Sequence, residues 1–323
     1  MNDLRTAVLV TGMLGLLAVA TAVGQVLARR TDRGLDQGAV RAFNQRLRGW
    51  WIMSGLLAAA CWLGVTATVT LFGLLSFWAL REFITLTPTR RGDHRALFWV
   101  FVLFLPVHYV LVAYDRYDVF SVFLPVYATL FVMARVAFSG DYARFLERTA
   151  KIQAGLVVCV YCVSFAPALL QIKTSPAPPT GNFPLLFFLV LLVQFADASQ
   201  RVWSRLLGRH LVAADVSSHR TWEGLVGSCT CTAALGAALW WFAPPYGPWQ
   251  AAVAGLVIAL LGFAGGMTMA AIKRDRGVSD HGTLVVGHGG VLDRIDSLCF
   301  AAPVFYHLTL ALAGGAGAPA VGG

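Results

Sequence analysis

Apolar positions in this chain come in long runs broken by short basic stretches. Runs with few or no charges cover residues 7–28, 97–114, 119–137, 152–172, 184–203, 223–243, 248–271 and 296–313. A helix needs about 20 apolar residues to cross the hydrocarbon of a bilayer, so each run predicts one span. The stretch from Trp51 to Ile84 is too long for one comfortable span and predicts two short helices turning near Gly64. The whole pattern predicts an all-α, polytopic transmembrane helical bundle of about ten spans.

Composition excludes a soluble globular domain. Of the 323 residues, 58% are hydrophobic and 13% charged, whereas soluble domains carry roughly a quarter charged residues. The mean hydropathy is +0.68. The six cysteines all lie in or beside apolar runs, where a thiol acts as a small buried hydrophobe, and their spacing gives neither a zinc site nor a disulfide framework. The run 7–28 is long for a signal-peptide core, has only Arg5 ahead of it and is followed by Arg29, Arg30 and Arg33, which predicts a retained first span.

Charge then orients the bundle. With ten spans, the loops at 29–50, 81–95, 135–151, 201–220 and 273–294 fall on one side and hold 22 of the 25 Lys and Arg residues. The positive-inside rule makes that side cytoplasmic and puts both termini outside. The net charge of +9 therefore reads as topology plus attraction to anionic head groups and phosphorylated substrates, with no nucleic acid implied. Residues 1–150 read as an N-terminal transmembrane scaffold with few polar groups inside its spans. Residues 151–313 bring polar clusters to helix ends and read as a catalytic half, and the Gly- and Ala-rich stretch 314–323 reads as a disordered tail.

Three polar clusters could carry chemistry. The densest runs from Lys273 to Ser297 and holds Asp275, Asp280, Asp293 and Asp296 with Lys273, Arg274, Arg276 and Arg294. Carboxylates beside cations at a membrane surface suit metal-dependent phosphoryl or nucleotidyl transfer, with oxygen ligands for Mg²⁺ and cations for phosphate. Gly287, His288, Gly289 and Gly290 add a backbone that can approach a phosphate closely. The alternative is a solvated loop whose charges neutralise one another. The second cluster is Gln194 and Asp197 inside an apolar run, where an ionisable group marks a functional position or a helix end reaching the interface. The third, Asp215 to Gly224, reads either as a helix start with Thr221 as N-cap and Glu223 in the first turn, or as a cationic binding loop for a phosphate-bearing substrate. The polar groups crowd one face and no internal repeat is evident, which argues against a transporter.

In this order the clusters resemble the phosphatidate cytidylyltransferases, also called CDP-diacylglycerol synthases. The resemblance rests on Lys273-Arg274, Ser279-Asp280, Val286-Gly287-His288-Gly289-Gly290, Asp293-Arg294 and Asp296, with Ser217, Thr221, Trp222, Glu223 and Gly224 upstream and Asp197 in its span. It covers roughly residues 150–310; the N-terminal half matches only as a set of spans. It implies that the phosphate of phosphatidate attacks the α-phosphorus of CTP, giving CDP-diacylglycerol and pyrophosphate. It also implies Mg²⁺, with room for a second metal ion, held by Asp197, Asp280 and Asp293, with Asp296 as a further ligand or a carboxylate behind them. Lys273, Arg274 and Arg294 would contact phosphates beside the catalytic Asp280 and Asp293. Ser217, Arg220, Thr221, Glu223, Gly287, His288, Gly289 and Gly290 would line the substrate side. The expected setting is the plasma membrane, with the site facing the cytoplasm, membrane lipids as neighbours and a homodimer as one arrangement. Four residues depart from the family pattern: Ser279 stands where it has Lys, Val286 where it has Pro, and Ser218 and Arg220 where it has Pro and Lys. Only Ser279 removes a cation beside the expected ligands.

Overall fold

The computed structural model describes residues 37–87, 89–174, 181–243, 245–277 and 290–316, with scattered positions between 11 and 25. Among these residues the chain is a helical bundle. We number its helices α1 (Gln37–Leu63), α2 (Val65–Leu86), α3 (Arg91–Ala113), α4 (Tyr117–Ala137), α5 (Phe145–Gln171), α6 (Phe183–Leu206), α7 (Trp222–Ala238), α8 (Pro248–Asp275) and α9 (Leu292–Ala316). Seven of them, α2 to α6 with α8 and α9, are long and apolar enough to cross a membrane; α1 contributes a shorter apolar stretch, Trp51–Leu63. The chain is therefore an integral membrane protein. The expected span at 7–28 falls largely outside the described residues, and so does the tail beyond Ala316; α9 itself runs three residues past Ala313 into the stretch expected to be disordered.

The long run from Trp51 divides at Gly64, as its length requires. Gly64 takes φ 108°, a left-handed value that side chains disfavour. Residues on either side then face one another: the Thr68 hydroxyl contacts the Cys61 sulfur at 3.7 Å, and Leu57 and Phe72 line the same cleft. A continuous helix would hold such pairs far apart, so α1 and α2 form a hairpin. Within α3, α4 and α5 the hydrogen-bond ladder widens to π-turns at Val100–Phe104, Phe123–Ala128 and Val157–Cys162. Pro106 and Pro125, which lack a donor, lie just beyond or inside the first two.

One hydrophobic core joins both halves, with Leu80, Phe165, Phe188 and Phe305 fully buried. Successive helices reverse direction, which gathers the basic ends of α2 to α6, α8 and α9 at one end of the bundle. Arg148 on α5 marks that end: its guanidinium donates to Asp93 in the first turn of α3 at 2.6 and 2.9 Å and to the carbonyls of Asp141 and Ala143 at 2.8 and 3.1 Å. At the opposite end the Tyr117 hydroxyl meets His307 Nε2 at 2.9 Å, and Tyr246 meets Thr309 at 2.8 Å.

Candidate active site

The polar segment from Lys273 to Ser297 is less of a loop than its composition suggests. Lys273 and Arg274 occupy the last turn of α8, where cations suit the helix dipole. Asp293, Arg294, Asp296 and Ser297 belong to the first turns of α9. Helical spacing puts Asp293, Asp296 and Ser297 on one face, with Arg294, Ile295 and Leu298 beside it. Ser279, Asp280, Gly287, His288 and Gly289 lie outside the described residues.

The centre of the site is the meeting of α6, α8 and α9. The Ser297 hydroxyl donates to Asp197 Oδ1 at 2.8 Å and also lies 3.2 Å from the Gly262 carbonyl. The Ser297 amide donates to Asp296 Oδ1 at 2.7 Å. Asp197 and Asp296 lie within electrostatic reach of one another and of Arg220, and Arg201 also acts on Asp197. Arg220 reaches them by crossing α8: it donates to the Phe263 carbonyl at 3.2 Å, and its guanidinium lies 5.2 Å from the centre of the Phe263 ring. Glycines on α8 make this convergence possible. A Cβ on Gly265 would strike the Asp296 carbonyl, one on Gly266 would occupy the Arg220 guanidinium, and one on Gly262 would press on Ser297 at 3.3 Å. Small residues at such spacing let helix backbones approach closely in a membrane.

Around this centre the predicted residues divide into two sets. Asp293 is ion-paired with Lys273 and acts electrostatically on Asp296. Arg274 Nε donates to the Val216 carbonyl at 3.4 Å, tying the end of α8 to the loop that precedes α7. Ser217 is buried in that loop, its hydroxyl accepting the His219 amide at 3.4 Å. Thr221 is the N-cap of α7, accepting from the Gly224 amide at 3.1 Å and donating to Ser204 at 2.9 Å. Glu223 accepts from the Arg209 and His210 amides at 3.2 and 3.3 Å and meets His210 Nδ1 at 2.6 Å, closing the 209–223 loop on itself. Thr221 and Glu223 thus hold the loop together, while Arg220 alone of this cluster extends into the carboxylate site. The helix-start and binding-loop readings of the segment both describe part of it.

Sequence reasoning missed two participants. Ser297 follows Asp296 directly, and the helical face shared with Asp293 was the available signal. Glu82, at the end of α2, accepts the Val291 amide at 3.0 Å and the Leu292 amide at 2.8 Å; nothing in its local sequence announces that. Beside the site, α1, α2, α6 and α9, with Leu17 from ahead of α1, enclose a cleft of about 160 Å³, lined by apolar side chains such as Leu57, Phe72 and Val190, with Ser54, Gln194 and Arg294 as its polar members. The Arg294 guanidinium lies against Gly49, where a Cβ would meet it.

Among the described residues no group of three or more His, Cys, Asp and Glu side chains converges to hold a metal ion. Asp197 and Asp296 nevertheless fit one chemically. They are hard oxygen donors from separate helices, within electrostatic reach of each other in largely apolar surroundings, and such a pair is stabilised by added positive charge.

Residues 44–312 match the profile of the Cytidylyltransferase family. The uncharacterized protein YnbB of Escherichia coli is 34% identical over 299 residues, covering 91% of this chain and 95% of that protein. Phosphatidate cytidylyltransferase of Synechocystis is 36% identical over 138 residues, 41% of this chain and 46% of the enzyme. That of Mycobacterium leprae is 28% identical over 145 residues, 45% of this chain and 46% of the enzyme. The chain thus spans nearly all of the first relative and under half the length of the two enzymes. Because the family match takes in all three polar clusters, α2 to α8 and most of α1 and α9, this chain belongs to the cytidylyltransferase family.

Proposed function

We propose that the chain is a phosphatidate cytidylyltransferase of the plasma membrane, which converts CTP and phosphatidate to CDP-diacylglycerol and pyrophosphate at its cytoplasmic face. The observation that carries this reading is the position of Arg294. It lies one residue from the Asp293 face of α9 and also lines the apolar cleft between α1, α2, α6 and α9. A lipid whose tails lie in the bilayer and whose phosphate meets Arg294 would present that phosphate to the carboxylate site, while a nucleotide reaches the same site from water.

In this mechanism a phosphate oxygen of phosphatidate forms a bond to the α-phosphorus of CTP, and the bond between the α-phosphorus and the bridging oxygen breaks. The electron pair leaves with pyrophosphate. Arg294 orients the attacking phosphate, and Arg220 and Lys273 offset the charge of the nucleotide phosphates. Asp197 and Asp296, with Asp293 and Asp280, are the proposed Mg²⁺ ligands, and Mg²⁺ bound there would polarise the α-phosphate and neutralise the leaving group. Ser297 holds Asp197 in place for that role.

The test is transfer of label from CTP to lipid by the purified protein in detergent with phosphatidate and Mg²⁺. Label that enters the lipid phase and is lost in Asp293→Asn supports the proposal; no transfer to phosphatidate with any divalent metal refutes it. A second reading, CTP-dependent transfer to another lipid phosphate, is favoured by the breadth of the match to YnbB, which carries no assigned activity, against matches under half as long to the named enzymes. Label entering a different phospholipid acceptor, with none entering phosphatidate, would select it.

A further inference from the structure

The first turn of a helix leaves its amides without intrahelical partners, and two at the start of α9 are satisfied from far away in the chain. Both oxygens of Glu82, on α2, are used: one accepts the Val291 amide at 3.0 Å and the other the Leu292 amide at 2.8 Å. The donors lie 209 and 210 residues further along the chain. A carboxylate at this position also complements the positive end of the helix dipole. The fit requires glycine at the preceding residue, since a Cβ on Gly290 would lie 2.5 Å from Glu82 Oε2.

We infer that Glu82 is a positioning residue for the transfer reaction: it fixes the rotation and depth of α9, and so decides which α9 side chains enter the site. The inference rests on the activity proposed above. Consecutive residues on a helix are about 100° apart, so a small rotation matters. In the capped position Asp296 and Ser297 face Asp197, Asp293 meets Lys273, and Arg294 turns to the apolar cleft. Were α9 to turn by one residue, Arg294 would take the place of Asp293 and the carboxylates would turn away from Asp197. The N-terminal half of the chain, which among the described residues supplies none to the centre of the site, would in this way set its geometry. The Val291 and Leu292 amides, already occupied by Glu82, are withdrawn from any phosphate cradle at the Gly287–Gly290 run.

Glu82→Ala and Glu82→Asp in the full-length protein, with Gly290→Ala, provide the test. In Glu82→Ala we expect kcat to fall about a hundredfold while KM for CTP changes less than about threefold, the pattern of misplaced rather than missing groups. Glu82→Asp, which keeps the carboxylate on a shorter arm, should recover about tenfold of that loss. Hydrogen exchange reads the cap without any turnover: amides at the start of α9 should exchange roughly fivefold faster in Glu82→Ala and in Gly290→Ala than in the parent protein. Unchanged exchange in both variants overturns the inference, as does unchanged kcat in a Glu82→Ala protein whose exchange has risen. A parent protein inert toward CTP and lipid refutes the proposed activity and with it this positioning role, while faster exchange there would leave the cap itself standing.

Discussion

Ser297 and Asp197 stand 100 residues apart in the chain and 2.8 Å apart in the bundle, with the serine hydroxyl donating to the carboxylate. Ser297 is buried and its hydroxyl also lies 3.2 Å from the Gly262 carbonyl, so one side chain ties α9 to both α6 and α8. Removing it should affect the metal requirement before it affects the fold. In Ser297→Ala we expect about 1 kcal/mol of lost stability, the net worth of a typical hydrogen bond. The Mg²⁺ concentration for half-maximal activity should rise by about tenfold, as for other groups that orient a ligand. Asp197→Asn should abolish transfer at any Mg²⁺ concentration. A Ser297→Ala enzyme with the parent's Mg²⁺ dependence would show that the hydroxyl only packs.

Two neighbouring glycines on α8 should respond differently to the same added methyl group. At Gly265 the new Cβ strikes a backbone carbonyl, that of Asp296, which cannot move without shifting α9. At Gly266 it meets the end of the Arg220 side chain, which can swing away. Gly265→Ala should therefore lower thermal stability in detergent, at a cost of about 1–3 kcal/mol. Gly266→Ala should melt close to the parent yet lose about tenfold or more in activity, because Arg220 is displaced from Asp197 and Asp296. Melting curves and initial rates on the same preparations separate the two.

Arg148 gives a prediction about stability alone. Its side chain is 4% exposed and that of its partner Asp93 1%. Arg148→Met leaves Asp93 buried without its cation, which should cost about 3 kcal/mol or more. Arg148→Lys should rescue little, because one ammonium cannot reproduce the fork that reaches Asp93 and the Asp141 and Ala143 carbonyls together. Asp93→Asn combined with Arg148→Met should be more stable than Arg148→Met, since it removes the stranded charge; thermal unfolding in detergent measures all three.

Periodicity and charge carried the fold a long way. Run length alone required the break at Gly64, because no single helix could hold residues 51–84 in a bilayer. The same reasoning placed Asp293 just before a span and Asp296 at its first residue, whereas both lie inside a helix that starts at Leu292; an apolar-run boundary marks where charges stop, not where backbone hydrogen bonds begin. Asp197 was legible because a carboxylate in an apolar run is costly. Glu82 was not, since its partners are backbone amides about 210 residues away and a sequence shows no partner that has no side chain. Thr221 and Glu223 were legible as a helix start, and their side chains serve it in the structure, which leaves Arg220 as the member of that segment that extends to the carboxylates.

Arg294 offers the sharpest kinetic test of the proposed acceptor. Its neighbours in the cleft are mostly apolar side chains from α1, α2, α6 and α9, with Ser54 and Gln194 the only other polar ones among the described residues, and its guanidinium packs on Gly49. A cation at the end of such a cleft is suited to an anion that carries tails, and less suited to a soluble nucleotide. In Arg294→Ala we expect KM for phosphatidate to rise by about tenfold or more, the value of a charge-assisted contact, while KM for CTP stays within about twofold. Arg294→Lys should recover only part of the loss, because a point charge replaces a planar fork. Enlarging Gly49 to Ala should mimic Arg294→Ala in direction, since the new Cβ displaces the guanidinium without removing its charge. If KM for CTP rises instead and that for phosphatidate does not, Arg294 serves the nucleotide and the cleft is not where the lipid lies.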